Sequence, residues 1–238
     1  MADTPDVKEF GWTAIVITCT SGKVREALEN ECKRMSRGGL LPKHEFLLVV
    51  DDPGPKIEDD RVASSKRVTA GVGSGGATIN ALLIAIERLS AFHNHTTINN
   101  ELVHNSRILV IHHGRTLVHS PGGSAFLRIN AEHSAIPGHL RMLPPTLLQH
   151  AIWMATNIAA KCKRGVWITS LDAFLSNVST LEPPSTEGLH GALVCTVSTH
   201  LEHAKNHGVV VSGTGNSINK MEYKLSLEQL SKLIHLMQ

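Results

Sequence analysis

The chain alternates short apolar runs with stretches whose apolar residues recur at helical spacing. Trp12–Thr18 (WTAIVIT) is continuous and β-branched, which predicts a strand buried on both faces. Val24–Met35 is charged and helix-like, and Phe46–Val50 (FLLVV) predicts a second buried strand ending in Asp51-Asp52-Pro53-Gly54. Ile57–Val68 is polar and basic and reads as a mobile surface loop. Ala77–Leu89 has helical spacing, and Ile108–Ile111 (ILVI) predicts a third strand. The long segment from Gly114 to Pro145, with its Gly and Pro clusters, is a functional or disordered loop rather than a simple connection. Thr146–Lys161 predicts a helix, and Gly165–Thr169 a strand ending at Ser170-Leu171-Asp172. Ala192–Val197 and Val209–Val211 are two further strand candidates. Ser226-Leu227-Glu228-Gln229 has the form of a capping box. It opens a closing helix with Leu230, Leu233, Ile234 and Met237 on one face.

Apolar strands alternating with helices predict an α/β fold with a mostly parallel sheet. In such sheets ligands bind outside the carboxyl ends of the strands. That rule singles out Asp51, Asp52, His112, His113 and Asp172.

Composition narrows the class. With 238 residues the chain can bury a real core, as one large domain or two small ones. A net charge of +2 is too balanced to argue for nucleic acid, and no run of basic residues stands out. The 15 histidines make the charge sensitive to pH between about 5 and 8. Cys19, Cys32, Cys162 and Cys195 show no metal-site spacing and read as free thiols in a reducing, cytoplasmic compartment. The polar N-terminal tail, residues 1–10, is no signal peptide, and no apolar run is long enough to span a membrane.

Chemistry concentrates around Gly71-Val72-Gly73-Ser74-Gly75-Gly76-Ala77-Thr78. Glycines let a ligand approach the backbone, and the helix that follows points its free N–H groups and positive dipole end at the same place. Such a loop is suited to a nucleotide or sugar phosphate. Gly71, Gly73 and Gly76 satisfy the dinucleotide motif G-x-G-x-x-G, but the strand ending in His112-His113-Gly114 supplies no ribose-binding acid. The run also approaches a Walker A motif, with Ala77 where the lysine would stand. A tight turn without a ligand is the plainer alternative.

Elsewhere, Asp172 ends an apolar strand and suits either a Mg²⁺ ligand or the N-cap of a short turn over Ala173–Leu175. Asn206, His207 and Gly208 precede a strand and suit either a sugar or base contact or a simple turn. His112 and His113 are adjacent, so a strand would point them to opposite faces and keep them out of one metal site. Arg115 and Arg128 are cations available to phosphates.

Taken in order, these residues resemble the L-fucokinase and GDP-L-fucose pyrophosphorylase (fucose-1-phosphate guanylyltransferase) family. The resemblance runs through Trp12-Thr13-x-Ile15-Val16-Ile17-Thr18, Asp52-Pro53 and Gly73-Ser74-Gly75-Gly76-Ala77-Thr78-x-Asn80-Ala81-Leu82. It continues through Ile108-Leu109-Val110-Ile111-His112-x-Gly114-Arg115, Gly165-Val166-Trp167-Ile168, Asp172 and Asn206-His207-Gly208-Val209. The glycine run with its Ala-Thr-x-Asn-Ala-Leu tail is the most specific part. The resemblance implies a Rossmann-like nucleotidyltransferase domain over 11–238, incomplete at its C-terminal end. It implies that Gly73, Ser74, Gly75, Gly76, Ala77 and Thr78 bind nucleotide phosphates, that Asp172 holds Mg²⁺, and that Arg115 and Asp172 are catalytic. Asn206, His207 and Gly208 would contact the sugar or base. The implied ligands are GTP or another nucleotide, with L-fucose or L-fucose 1-phosphate.

Three departures qualify the likeness. Ser124-Ala125-Phe126 stands where the pyrophosphorylase branch has a lysine and the fucokinase branch an arginine. Glu58–Ala70 reads as an insertion, and the Pro-x-x-x-Gly-Leu-x-Ser-Ser loop of the sugar-kinase domain is missing from the chain. The expectation is therefore a transferase of L-fucose salvage towards GDP-L-fucose, closer to the fucokinase type, present as a fragment, a partial gene model or a short form. The alternatives are a non-catalytic nucleotide-binding or regulatory module and a nicotinamide-dependent oxidoreductase.

Overall fold

The computed structural model describes residues 10–19, 22–52, 72–97, 100–114, 123–140, 143–175, 185–186, 188–189, 191–205, 207–213, 217–223 and 225–235. They fall in two compact units, Met1–Glu187 and Gly188–Gln238.

The first unit is built on strands β1 (Gly11–Cys19), β2 (Lys43–Asp51), β3 (Arg107–His112) and β4 (Gly165–Ser170). They form one sheet in the order β2-β1-β3-β4, with every pair parallel. The continuous apolar runs have the cause expected of them. Ala14, Ile15, Val16 and Ile17 of the central strand are all 0% exposed, because helices cover both faces.

Helix α1 (Gly22–Arg37) buries Val24, Leu28, Cys32 and Met35 at helical spacing. A second helix, Leu147–Ala159, packs on the same face, where Leu148 and Ile152 meet Ile15, Ile17, Leu109 and Ile111. The long helix α2 (Gly73–Phe92) lies on the opposite face. Its Ala81, Ala85 and Leu89 pack in one buried cluster with Ala14, Val16, Ile108 and Val110 of the sheet. Helix α3 (Asn100–Asn105) connects α2 to β3, and the helix over Leu147–Ala159 is α4. Its N-cap is Thr146, whose hydroxyl accepts from the Gln149 N–H at 3.2 Å. This is a doubly wound, Rossmann-like α/β arrangement, as the sequence predicts.

Several expectations need correction. α2 begins at Gly73, not Ala77, so Gly73, Ser74, Gly75 and Gly76 are its first turn instead of a preceding loop. Within Gly114–Pro145 the described residues form three 3-10 turns, Ser124–Phe126, Ala131–His133 and Gly138–Leu140, and Arg128 bridges to Thr146. Residues 192–197 form no strand: they are exposed and pair with nothing in a ladder. Ile57–Val68 lies outside the described residues.

The second unit holds helix α5 (Leu201–Ala204), the antiparallel pair β5 (Gly208–Ser212) and β6 (Ile218–Tyr223), and helix α6 (Leu227–His235). The capping box is formed: the Gln229 N–H donates to Ser226 Oγ at 3.2 Å and the Ser226 N–H to Gln229 Oε1 at 2.9 Å. Leu230 is buried, and Met237 lies outside the described residues. No helix among the described residues is long and apolar enough to cross a membrane.

Candidate functional site

Because the four strands are parallel, their carboxyl ends share one edge. Register pairs Thr18 with His112, Cys19 with Asp51 and His112 with Ser170 along that edge. The start of α2 is fixed there. Thr78 Oγ1 lies 2.8 Å from His112 Nε2, and Asn80 Nδ2 donates to the Asp51 carbonyl at 3.3 Å.

The first turn of α2 combines two kinds of glycine. Gly73 sits at φ +78°, a left-handed conformation that favours glycine. Gly76 has an ordinary helical backbone, but a Cβ there would come within 2.7 Å of Val72 Cβ. Gly75 faces open space, with nothing within 4 Å of an added Cβ. The opening N–H groups of an α-helix lack partners within the helix. Val72, at the N-cap, contributes no side-chain hydrogen bond to them. Ser74 and Gly75 are exposed. These donors and the positive end of a 20-residue helix therefore meet solvent at the sheet edge, the arrangement that suits an anion.

His112 is held from both sides. The Thr78 hydroxyl donates to the Ser74 carbonyl at 2.8 Å, so His112 Nε2–H must donate to Thr78 Oγ1. Nδ1 is then the acceptor facing Thr18 Oγ1 at 3.1 Å. Burial pushes the His112 pKa below its usual value, and the Asp52 carboxylate partly opposes that shift.

Asp172 stands two residues beyond β4, on the same edge. The Leu171 N–H donates to the His112 carbonyl at 3.0 Å, which extends the β3–β4 pairing toward it. The Asp172 N–H is turned onto Ser170 Oγ at 3.2 Å, and its side chain is exposed. No helix begins at Ala173–Leu175, so the N-cap alternative for Asp172 does not hold. Gly114, at φ +78°, presents its bare face to this carboxylate: a Cβ there would lie 2.8 Å from Asp172 Cγ. Among the described residues no three His, Cys, Asp or Glu side chains gather as a metal cage. A single exposed carboxylate still fits Mg²⁺, which takes one or two carboxylates and completes its shell with water and substrate phosphates.

The remaining candidates divide. Arg115 and Asn206 lie outside the described residues. His207 and Gly208 belong to the second unit, where the His207 N–H closes a turn onto the Ala204 carbonyl at 3.0 Å and Gly208 opens β5. Arg128 is committed to the Pro144 carbonyl at 2.7 Å. His113 is 2% exposed and does not join His112. Ser124, at the position of the expected cation, is buried and donates to the His113 carbonyl at 3.1 Å. Thr18 and Gly114 were not singled out as site residues in the sequence. Their signals were a hydroxyl closing a buried strand and a glycine just past another.

The family model for the fucose pyrophosphorylase domain matches residues 100–236, from α3 through β3, β4 and Asp172 to α6. The glycine turn lies ahead of the matched stretch. No curated protein matches the chain, and no solved structure does. The match covers more than half of the 238 residues, and the chain belongs to the fucose pyrophosphorylase domain family, a pyrophosphorylase-type transferase family of fucose nucleotide-sugar synthesis.

Proposed function

We propose that the first turn of α2 holds the phosphates of GTP or of a sugar nucleotide, in a nucleotidyltransferase-like region of an L-fucokinase-type salvage enzyme. The observation that carries this reading is the placement of exposed Ser74 and Gly75, in a first helical turn that the Val72 side chain does not cap, at the carboxyl edge of a parallel sheet. In the proposed reaction a phosphate oxygen of L-fucose 1-phosphate attacks the α-phosphorus of GTP. A new P–O bond forms, the α–β bridge breaks, and pyrophosphate leaves. The chain's contribution is to position the phosphates and to meet their charge with backbone donors. Asp172 would hold Mg²⁺, which supplies charge neutralisation at the triphosphate.

A second reading, a nucleotide-binding module without turnover, is favoured by Ser124. The position at which the resemblance leads one to expect a cation is here a buried hydroxyl bonded to backbone. Calorimetric titration with GTP and Mg²⁺, followed by a pyrophosphate-release assay with L-fucose 1-phosphate, separates the two. Binding with release supports the transferase, binding alone supports the module, and no binding of GTP or GDP-L-fucose contradicts both.

A further inference from the structure

A turn containing Gly73, Gly75 and Gly76 has little stiffness of its own, since glycine has the widest backbone freedom. Val72, its N-cap, adds no side-chain hydrogen bond. The opening of the turn is nevertheless tied to the sheet by a continuous line of hydrogen bonds. Ser74 carbonyl accepts from Thr78 Oγ1 at 2.8 Å, Thr78 Oγ1 accepts from His112 Nε2 at 2.8 Å, and His112 Nδ1 meets Thr18 Oγ1 at 3.1 Å. The line runs from the helix through β3 to β1, and it fixes the turn against two strand ends at once.

We infer that His112 is a positioning residue of the anion site, holding the first turn of α2 so that its N–H groups stay aimed at the ligand. This rests on the nucleotide reading above. His112 makes no contact with the ligand in this account. It acts through Thr78, whose hydroxyl serves the ring and the Ser74 carbonyl together. The ring is suited to the task because it offers one donor and one acceptor on opposite sides. An aliphatic side chain offers neither, whereas the amide of glutamine offers both.

The test compares wild type with H112L, H112Q and T78V. It measures GTP affinity with Mg²⁺ by calorimetry and the melting temperature without nucleotide. H112L and T78V should each weaken GTP binding by about tenfold. H112Q should recover most of that loss. The H112L/T78V double variant should bind no worse than either single one, because both break the same line. If H112L fails to fold, T18V takes its place, because it removes the other hydrogen bond of the ring and leaves Thr78 untouched: weaker GTP binding in T18V is expected, and unchanged affinity overturns the inference. Equal GTP affinity in wild type, H112L and T78V, whatever their melting temperatures, would overturn the inference and reduce His112 to a structural role. Additive losses in the double variant would also overturn it. Absence of GTP binding in wild type is a different failure: it removes the proposed function first, and the inference with it.

Discussion

Gly114 and Asp172 are fitted to each other across the carboxyl edge of the sheet, with the glycine at φ +78° and room for no Cβ beside the carboxylate. Two residues 58 positions apart in sequence thus fix one side-chain position, because β3 and β4 are neighbours in register. Gly114→Ala should carry a backbone penalty of about 1–3 kcal/mol, since alanine disfavours positive φ. It should also displace Asp172. Gly114→Asn tolerates the backbone better but brings the same Cβ. If Asp172 holds Mg²⁺, both variants should lose the Mg²⁺ enhancement of GTP binding, as Asp172→Asn should. Chemical denaturation and GTP titrations with and without Mg²⁺ check this. Full Mg²⁺ enhancement in Gly114→Asn would contradict the account.

The first turn of α2 makes an opposite prediction at neighbouring glycines. Gly75→Ala meets nothing within 4 Å and removes chain entropy from the unfolded state, so it should stabilise the protein by about 0.5–1 kcal/mol. Gly76→Ala pushes a methyl group into Val72, 2.5 Å from Cγ2, so it should destabilise. Val72→Gly, which removes both the Cγ2 and the Cβ that the methyl would strike, should relieve much of that loss. Urea denaturation of the four variants, with the double variant included, decides it. Equal stabilities for Gly75→Ala and Gly76→Ala would show that the turn is not packed as described.

The parallel sheet was legible because strands buried on both faces must be continuous apolar runs, as in Trp12–Thr18 and Ile108–Ile111. The same rule misled at Ala192–Val197, which has the run but no neighbouring strand and stays exposed. β6 was missed because Ile218–Tyr223 has no continuous apolar run and belongs to a two-stranded pair with little to bury. Glycine spacing and the resemblance marked the turn at Gly73–Thr78, and the strand-end rule marked Asp172. The Thr78–His112 and Gly114–Asp172 relations were invisible, since each depends on the register of strands and helices distant in sequence. Ser124 was legible as a missing cation, but its burial and its bond to the His113 carbonyl were not.

Two histidines tie stability to pH in the same direction. Burial holds the pKa of His150 below its usual value, although its Nε2–H bond to the Leu175 carbonyl at 2.9 Å opposes this. Its Nδ1 accepts from the Ala135 N–H at 3.1 Å, a bond that protonation would break. His112 is lowered by burial as well. The unfolded chain titrates its histidines near 6.5. Between that value and the lower folded values, the unfolded state binds more protons. The contribution is fully present above about 6.5 and is lost as pH falls through the folded pKa values. The urea midpoint should therefore drop from pH 7.5 to pH 5.5, with a smaller drop in His150→Gln. A midpoint independent of pH in wild type, or a drop unchanged by His150→Gln, would contradict this reading.

The central claim is that the N–H groups at the start of α2 receive the phosphates. It is tested most directly by following the backbone amide resonances of Gly73, Ser74, Gly75 and Gly76 by nuclear magnetic resonance during titration with GTP and Mg²⁺. The account predicts that these four amides shift together and saturate with one affinity, because a phosphate hydrogen-bonded to an N–H changes its resonance. Saturable shifts confined to other residues, with these four unmoved, would contradict it.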